Sequence, residues 1–182
     1  MTKINMLTFI IIIAFNISCN QEIVQNQNSK TNLGILKTIS DTSKFTIIEF
    51  NEAEKWVFSK NCRKTNLTKD DLDNIAILLN EKVQEFNIEA KKRLEELKNE
   101  NKKIKFDRNQ FVIDLNNYKR QYVAVINQNN EKEVWINCFC GDWGENRKKN
   151  IVIVEDGGNC YFNLKINLTT KKCYDFIVNG DA

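Results

Sequence analysis

Cysteine is the residue type with which this chain could do the most chemistry, because it has six cysteines and no histidine. Without an imidazole it cannot form a Ser-His-Asp triad, a Cys-His dyad or an HExxH zinc site. A cysteine nucleophile would need a lysine or arginine to lower its pKa, and no motif aligns one. The phosphate-binding patterns GxxxxGK[ST] and GxGxxG are also missing. The composition therefore argues against the commonest catalytic designs and predicts no cofactor.

Five cysteines lie in the body of the chain: Cys62, Cys138, Cys140, Cys160 and Cys173. In an exported protein such cysteines form disulfides by default, and an odd number leaves one thiol over. Cys138 and Cys140 share one face of a predicted strand, so each points to a neighbouring element and not to the other. We expect Cys62 to pair with Cys140 or Cys138, Cys160 to take the other, and Cys173 to stay a thiol. Paired CxxC motifs are lacking, so disulfides are preferred over a metal site.

Four carboxylates near two glycine-containing turns could support acid–base chemistry or bind calcium. They are Asp142, Glu145, Glu155 and Asp156. Their spacing does not match the DxDxDG rhythm of a calcium loop. Glycine supplies positive φ, and Asp or Asn side chains bond the local backbone, so both segments are first of all turns.

Four aromatic side chains in the same region predict a binding surface: Trp135, Phe139, Trp143 and Tyr161. Trp135 and Phe139 alternate with apolar residues, so both faces of their strand would be apolar. Either a partner or a second layer of this chain must then cover the outer face. Residues 45–59 are the alternative covering.

The N-terminus has the pattern of a secretion signal. Lys3 supplies the positive start, and Met6–Phe15 form an apolar run too short for a membrane-spanning helix, which needs about 20 residues. The following Ile17-Ser18-Cys19 resembles the lipobox of bacterial lipoproteins, although Asn16 stands where the common pattern has leucine. The resemblance implies that Cys19 carries acyl chains such as palmitate, which anchor the protein to a membrane.

The residue after Cys19 bears on which membrane is used. In lipoproteins an aspartate there often marks retention in the inner membrane, whereas this chain has Asn20. The resemblance therefore implies the outer membrane with the domain facing the periplasm, and surface display is the alternative. The 27 basic and 24 acidic side chains nearly balance, which predicts no nucleic-acid partner.

The predicted organisation is a signal peptide at 1–18, a lipidated N-terminus with a flexible tether at 19–44, and one α+β domain at 45–182. Thr68 is a good helix N-cap, and the first turn that follows is acidic. An apolar stripe at helical spacing follows: Leu72, Ile75, Leu79, Val83 and Phe86. Residues 88–103 read as a solvated extension of this helix.

Strand-like segments with period two follow the helix, and two more precede it. They are Phe45–Phe50, Lys55–Ser59, Tyr118–Ile126, Glu133–Cys140, Ile151–Val154, Cys160–Leu168 and Cys173–Val178. Short connections favour antiparallel hairpins. We therefore predict a long helix packed on a curled four- to five-stranded antiparallel sheet. This order resembles the cystatin-like and nuclear-transport-factor-2-like class.

The C-terminal third carries a second resemblance, in NCFCGDW (137–143), EDGGNCYFNLKINLTTKK (155–172) and FIVNGDA (176–182). These stretches look like a group of uncharacterised small lipoproteins of AT-rich Gram-negative bacteria, and the resemblance covers about residues 110–182. It implies a shared domain and no activity. We expect a membrane-anchored, non-catalytic module of the cell envelope that binds a protein or a small ligand. The alternatives are a carboxylate-dependent envelope hydrolase and a purely structural lipoprotein.

Overall fold

One long helix and a mixed, open sheet make up the part of the chain that the computed structural model describes, residues 43–51, 56–58 and 61–180. These residues lie within one compact unit, Gly34–Ala182. The predicted signal, Cys19 and the tether as far as residue 42 lie outside the described residues. The elements are β1 Phe45–Ile48, β2 Arg63–Lys64, α1 Lys69–Glu100, β3 Lys119–Ile126, β4 Lys132–Phe139, β5 Tyr161–Asn167 and β6 Lys172–Val178.

Helix α1 begins where the sequence predicts. The Thr68 hydroxyl accepts a hydrogen bond from the backbone N–H of Asp71, and the Asp71 carboxylate accepts one from the backbone N–H of Thr68. This capping box satisfies two N–H groups at the start of the helix. Lys132 from the sheet also reaches Asp71, with 2.7 Å between Nζ and Oδ2. The start of α1 is thereby tied to β4.

The predicted apolar stripe of α1 faces the sheet. Ile75, Leu79 and Val83 are at most 1% exposed, and Leu72 and Phe86 are partly buried beside them. Their partners are side chains that alternate along the strands: Tyr122, Val134, Ile136, Leu164 and Ile166. Each fully buried aliphatic side chain contributes about 1.5–3 kcal/mol relative to exposure. The stripe is therefore what fixes α1 on this face of the sheet.

The sheet is mixed and has six strands, which corrects the expectation of a purely antiparallel sheet. Strands β3 to β6 are neighbours in chain order and antiparallel, whereas β1 lies parallel to β3. The short β2 pairs antiparallel with the end of β3. Parallel neighbours need a long crossover connection, and α1 lies in the chain between β1 and β3. The helix thus makes this parallel pairing possible.

Two predicted strands are absent from the described residues. Within Lys55–Ser59, the described residues 56–58 form a short helical turn and a bend. Ile151–Val154 has no regular secondary structure, and side chains of the sheet bond its backbone instead of a neighbouring strand. Val152 N donates to Gln121 Oε1 at 2.9 Å, and Asn137 Nδ2 donates to Val152 O at 2.7 Å. An apolar run can satisfy its backbone in this way without joining a sheet.

In the ranges described, the chain has no helix whose length and apolar content would let it cross a membrane.

Candidate binding site

The predicted aromatic surface is not exposed. Trp135 is 4% exposed and Phe139 is 0% exposed, so the expectation that they form an open patch is wrong. Described residues from the predicted covering segment 45–59 pack on this face of the sheet, as the alternative proposed. The covering cluster around Trp135 comprises Ile48, Phe50, Val57 and Phe58, with Val123 and Val125 from β3. A second layer supplied by the chain itself thus takes the place of a partner.

Trp143 and Tyr161, the other two aromatic residues, are partly buried. The Tyr161 ring lies so close to Gly157 that a β-carbon at that position would be 2.6 Å from it. Gly157 also has a φ of 93°, which side chains disfavour. The Asp-Gly-Gly-Asn segment is therefore a tight turn packed on an aromatic ring.

The four candidate carboxylates do not converge. Asp142 and Glu145 are exposed, and each pairs with a lysine, Lys119 and Lys148 respectively. A hydrogen bond from the Gly144 backbone and the pairing with Lys119 lower the pKa of Asp142, and Lys148 lowers the pKa of Glu145. A general acid at neutral pH needs a raised pKa, so these shifts run against that role.

Glu155 and Asp156 are exposed on the second turn. Among the described residues, no group of three or more Cys, Asp or Glu side chains could hold a metal ion.

One disulfide is present in the described residues, between Cys140 and Cys160, with 5.1 Å between the Cα atoms. This pairing was one of those expected. The expectation that Cys138 is disulfide-bonded is wrong, because Cys138 is a thiol with 0% exposure in the core under α1. Cys62 is therefore bonded to neither Cys138 nor Cys140. Cys173 is a half-buried thiol, as predicted, and lies 3.7 Å from the backbone oxygen of Leu78.

A cleft of about 700 Å³ lies beside the second half of α1, between the helix, the turn at 158–159 and the end of β6. Phe86, Ala90, Phe111 and Val178 form its apolar part. Its polar lining consists of Glu89, Arg93, Gln110, Asn159 and Asn179. An apolar surface with a few polar groups is the usual composition of a ligand-binding cleft.

Three side chains hold the walls of this cleft in place. Asn87, 6% exposed on α1, bonds both backbone groups of Ile113: its Oδ1 accepts from N at 2.7 Å and its Nδ2 donates to O at 2.8 Å. Asn159 Nδ2 donates to the backbone oxygens of Asn109 and Val112. Tyr118 Oη donates to the backbone oxygen of Asn159 at 2.6 Å. The segment that carries Phe111 is therefore fixed to both α1 and the turn.

The cleft also offers polar groups that are not already engaged. In the described ranges, Glu89 and Gln110 make no side-chain hydrogen bond or ion pair. Arg93 lies 3.7 Å from Glu96 across one helical turn, in an exposed pair of the kind that contributes little. A negative charge, a positive charge and an amide thus line the cleft together with its apolar side chains.

Sequence reasoning missed this cleft. Residues 88–103 looked like a solvated helix, and the segment from 108 to 113 has no periodicity from which its position could be read. The available signal was weak: Phe86 and Ala90 extend the apolar stripe of α1 into a region with few other apolar residues.

Comparison of the chain with protein-family models, with curated proteins and with solved structures found no match.

Proposed function

We propose that this protein is a membrane-anchored lipoprotein of the cell envelope whose domain is a non-catalytic binding module. The proposed anchor is a lipid on Cys19, and the proposed location is the outer membrane with the domain facing the periplasm. The proposed binding site is the cleft beside α1. The observation that carries this proposal is the composition of the cleft. Its lining combines the polar side chains of Glu89, Arg93 and Gln110 with apolar side chains, namely Phe86, Phe111 and Val178.

The ligand class follows from the size and polarity of the cleft. A volume of about 700 Å³ suits a small organic molecule or a few residues of a partner protein. The ligand would bury an apolar group against Phe86 and Phe111 and place a polar or charged group near Glu89 and Arg93. Hydrolysis by paired carboxylates has less support, since Asp142 and Glu145 are exposed and their pKa values are lowered.

We also propose that the domain belongs to the cystatin-like and nuclear-transport-factor-2-like class. Support comes from the chain order, in which a long helix precedes four consecutive antiparallel strands and packs across them. This domain has one further feature beside that order: β1, which precedes the helix, pairs with β3.

Replacing Cys19 by alanine tests the anchor. We expect Cys19→Ala to remain unlipidated and to move from the membrane fraction to the soluble fraction, because the acyl chains are the proposed attachment. Cys62→Ala is the matched control and should stay with the membranes. The measurement is fractionation after a salt wash, followed by mass spectrometry of the N-terminal peptide. A Cys19→Ala protein that still sediments with membranes would refute the lipid anchor.

Photo-cross-linking of the full-length protein in cells tests the cleft. A benzophenone amino acid at position 111 should give ultraviolet-dependent adducts, since Phe111 lines the cleft. The control is position 153, where Ile153 is 66% exposed and lies outside the cleft. A shift in gel mobility would indicate a protein ligand, and a small mass increase would indicate a small molecule. Equal adducts at both positions, or none at 111, would contradict the proposed site.

A further inference from the structure

Strand β3 carries a positive charge into the core without a partner. Arg120 is 0% exposed, and its Nε, Nη1 and Nη2 atoms have no hydrogen-bond partner within the described part of the chain. Two residues further on, on the same face, Tyr122 is 1% exposed and its Oη is also without a partner there. Both side chains therefore present hydrogen-bond donors in the core under α1.

The side chain of Arg120 ends in a guanidinium. A guanidinium stays protonated at every pH at which proteins are folded. An unpaired charge that is fully removed from water costs a large part of the stability of a domain, so a buried charge is normally paired with an opposite one. The native structure therefore calls for a negative charge beside Arg120.

The nearest titratable groups do not supply that charge. Cys138 is directly opposite Arg120 on β4, is fully buried and is a thiol. Burial raises the pKa of Cys138 to about 12, although Arg120 acts in the other direction. Burial likewise raises the pKa of Tyr122, again against the effect of Arg120. Both groups stay protonated at neutral pH and act as donors.

The carboxylates of the described residues are also engaged elsewhere or exposed. None of their ion pairs includes Arg120. Asp114, in the segment between α1 and β3, is exposed and accepts hydrogen bonds from Asn116 N and Nδ2. Neither the thiol, the phenol nor a described carboxylate balances the guanidinium.

We propose that Arg120 and Tyr122 bind a small monovalent anion in the core, and that chloride is the ion bound. A guanidinium and a phenol O–H provide charge and donors on one side, as an anion requires. Burial limits the size of the anion: the guanidinium nitrogens are inaccessible to solvent, and Arg120 does not line the cleft beside α1. We therefore expect a compact ion, because the head group of a larger ligand would have to remain attached to a body outside the core.

The thermal midpoint of the full-length lipidated protein in a non-ionic detergent tests this site. Sodium chloride is replaced stepwise by sodium gluconate at constant ionic strength, so that only the small anion changes. A ligand that binds only the folded state should raise the midpoint by about 5 °C for each tenfold increase in chloride above its dissociation constant. A midpoint that is the same in chloride and gluconate would overturn the proposal.

Two variants assign the effect to Arg120. Arg120→Met should show no chloride dependence and, in gluconate, should be at least as stable as the wild type, because it buries no charge. Arg147→Met is the matched control, since Arg147 is 8% exposed but donates to Thr46 Oγ1 and Ser43 O. It should keep the chloride dependence of the wild type. Chloride dependence that persists unchanged in Arg120→Met would place the ion elsewhere.

A measurement on the wild type keeps the proposal testable if Arg120→Met does not fold. Crystals soaked in sodium bromide should show an anomalous peak within hydrogen-bond distance of the Arg120 guanidinium and Tyr122 Oη. A map with bromide only at surface positions would refute the site.

Discussion

Asn87→Ala is expected to lower the free energy of unfolding by about 3 kcal/mol. The side chain bonds both the N–H and the C=O of Ile113, in a buried setting. Truncation leaves two backbone groups without their partner, and each buried unsatisfied group costs about 1–3 kcal/mol. Part of this loss is offset because alanine favours the helix more than asparagine does, by up to about 0.7 kcal/mol. Urea denaturation followed by circular dichroism measures the change.

Asn80→Ala is the matched control for this prediction. Asn80 lies two helical turns before Asn87 on the same side of α1 and makes no side-chain hydrogen bond within the described residues. Its replacement should be neutral or slightly stabilising. If Asn87→Ala proves as stable as Asn80→Ala, the two bonds to Ile113 are not what holds the segment that carries Phe111.

Loss of the Cys140–Cys160 disulfide is expected to cost about 3 kcal/mol. The two cysteines are 20 residues apart, and cross-linking a loop of that length restricts the unfolded chain by about this amount. The closed loop contains both glycine turns and the residues at 158–159 that line the cleft. We therefore expect Cys140→Ala to weaken the cleft wall as well as the global fold.

The single variants Cys140→Ala and Cys160→Ala and their double variant should show the same loss, since each breaks the same bond. Cys173→Ala is the control and should cost much less, because Cys173 is a half-buried thiol outside the disulfide. Denaturation midpoints with and without a reducing agent measure both effects. A wild-type protein whose stability does not respond to reduction would contradict the prediction.

Local signals were enough to predict the helix and most of the strands. Thr68 with an acidic first turn located the start of α1, and the stripe from Leu72 to Phe86 predicted the face that packs on the sheet. Period-two alternation located β3 to β6 to within one or two residues. These features depend on neighbours in the chain, so the sequence contains them directly.

Features that depend on partners far along the chain were not predictable in the same way. The covering of Trp135 could be predicted only as one of two alternatives, because its covering residues come some 80 residues earlier: Ile48, Phe50, Val57 and Phe58. The disulfide depended on strand register: Phe139 pairs with Tyr161, and the next pair outwards is Cys140 with Cys160. Because a long loop joins β4 and β5, no tight turn determines that register in advance.

The candidate cleft was the least predictable part. Its walls come from α1, from an irregular segment, from a turn and from the end of β6, and none has a motif of its own. The burial of Arg120 was equally hard to predict. The run Lys-Arg-Gln at the start of a strand is typical of solvent-exposed side chains, yet Arg120 and Gln121 are both 0% exposed.

The parallel pairing of β1 has a mechanical consequence. If Cys19 is the anchor, as proposed, a pull from the N-terminal side reaches the described residues at Ser43 and then β1. Because β1 is joined along its length to β3, from Phe45 opposite Arg120 to Ile48 opposite Val123, a load directed along the strand acts on these hydrogen bonds in shear. Bonds loaded in shear must break together, whereas bonds that are peeled break one at a time. The bond from Arg147 to Ser43 O adds a side-chain link at the same point. Under the proposed anchoring, β1 is therefore the strand that would carry tension into the sheet.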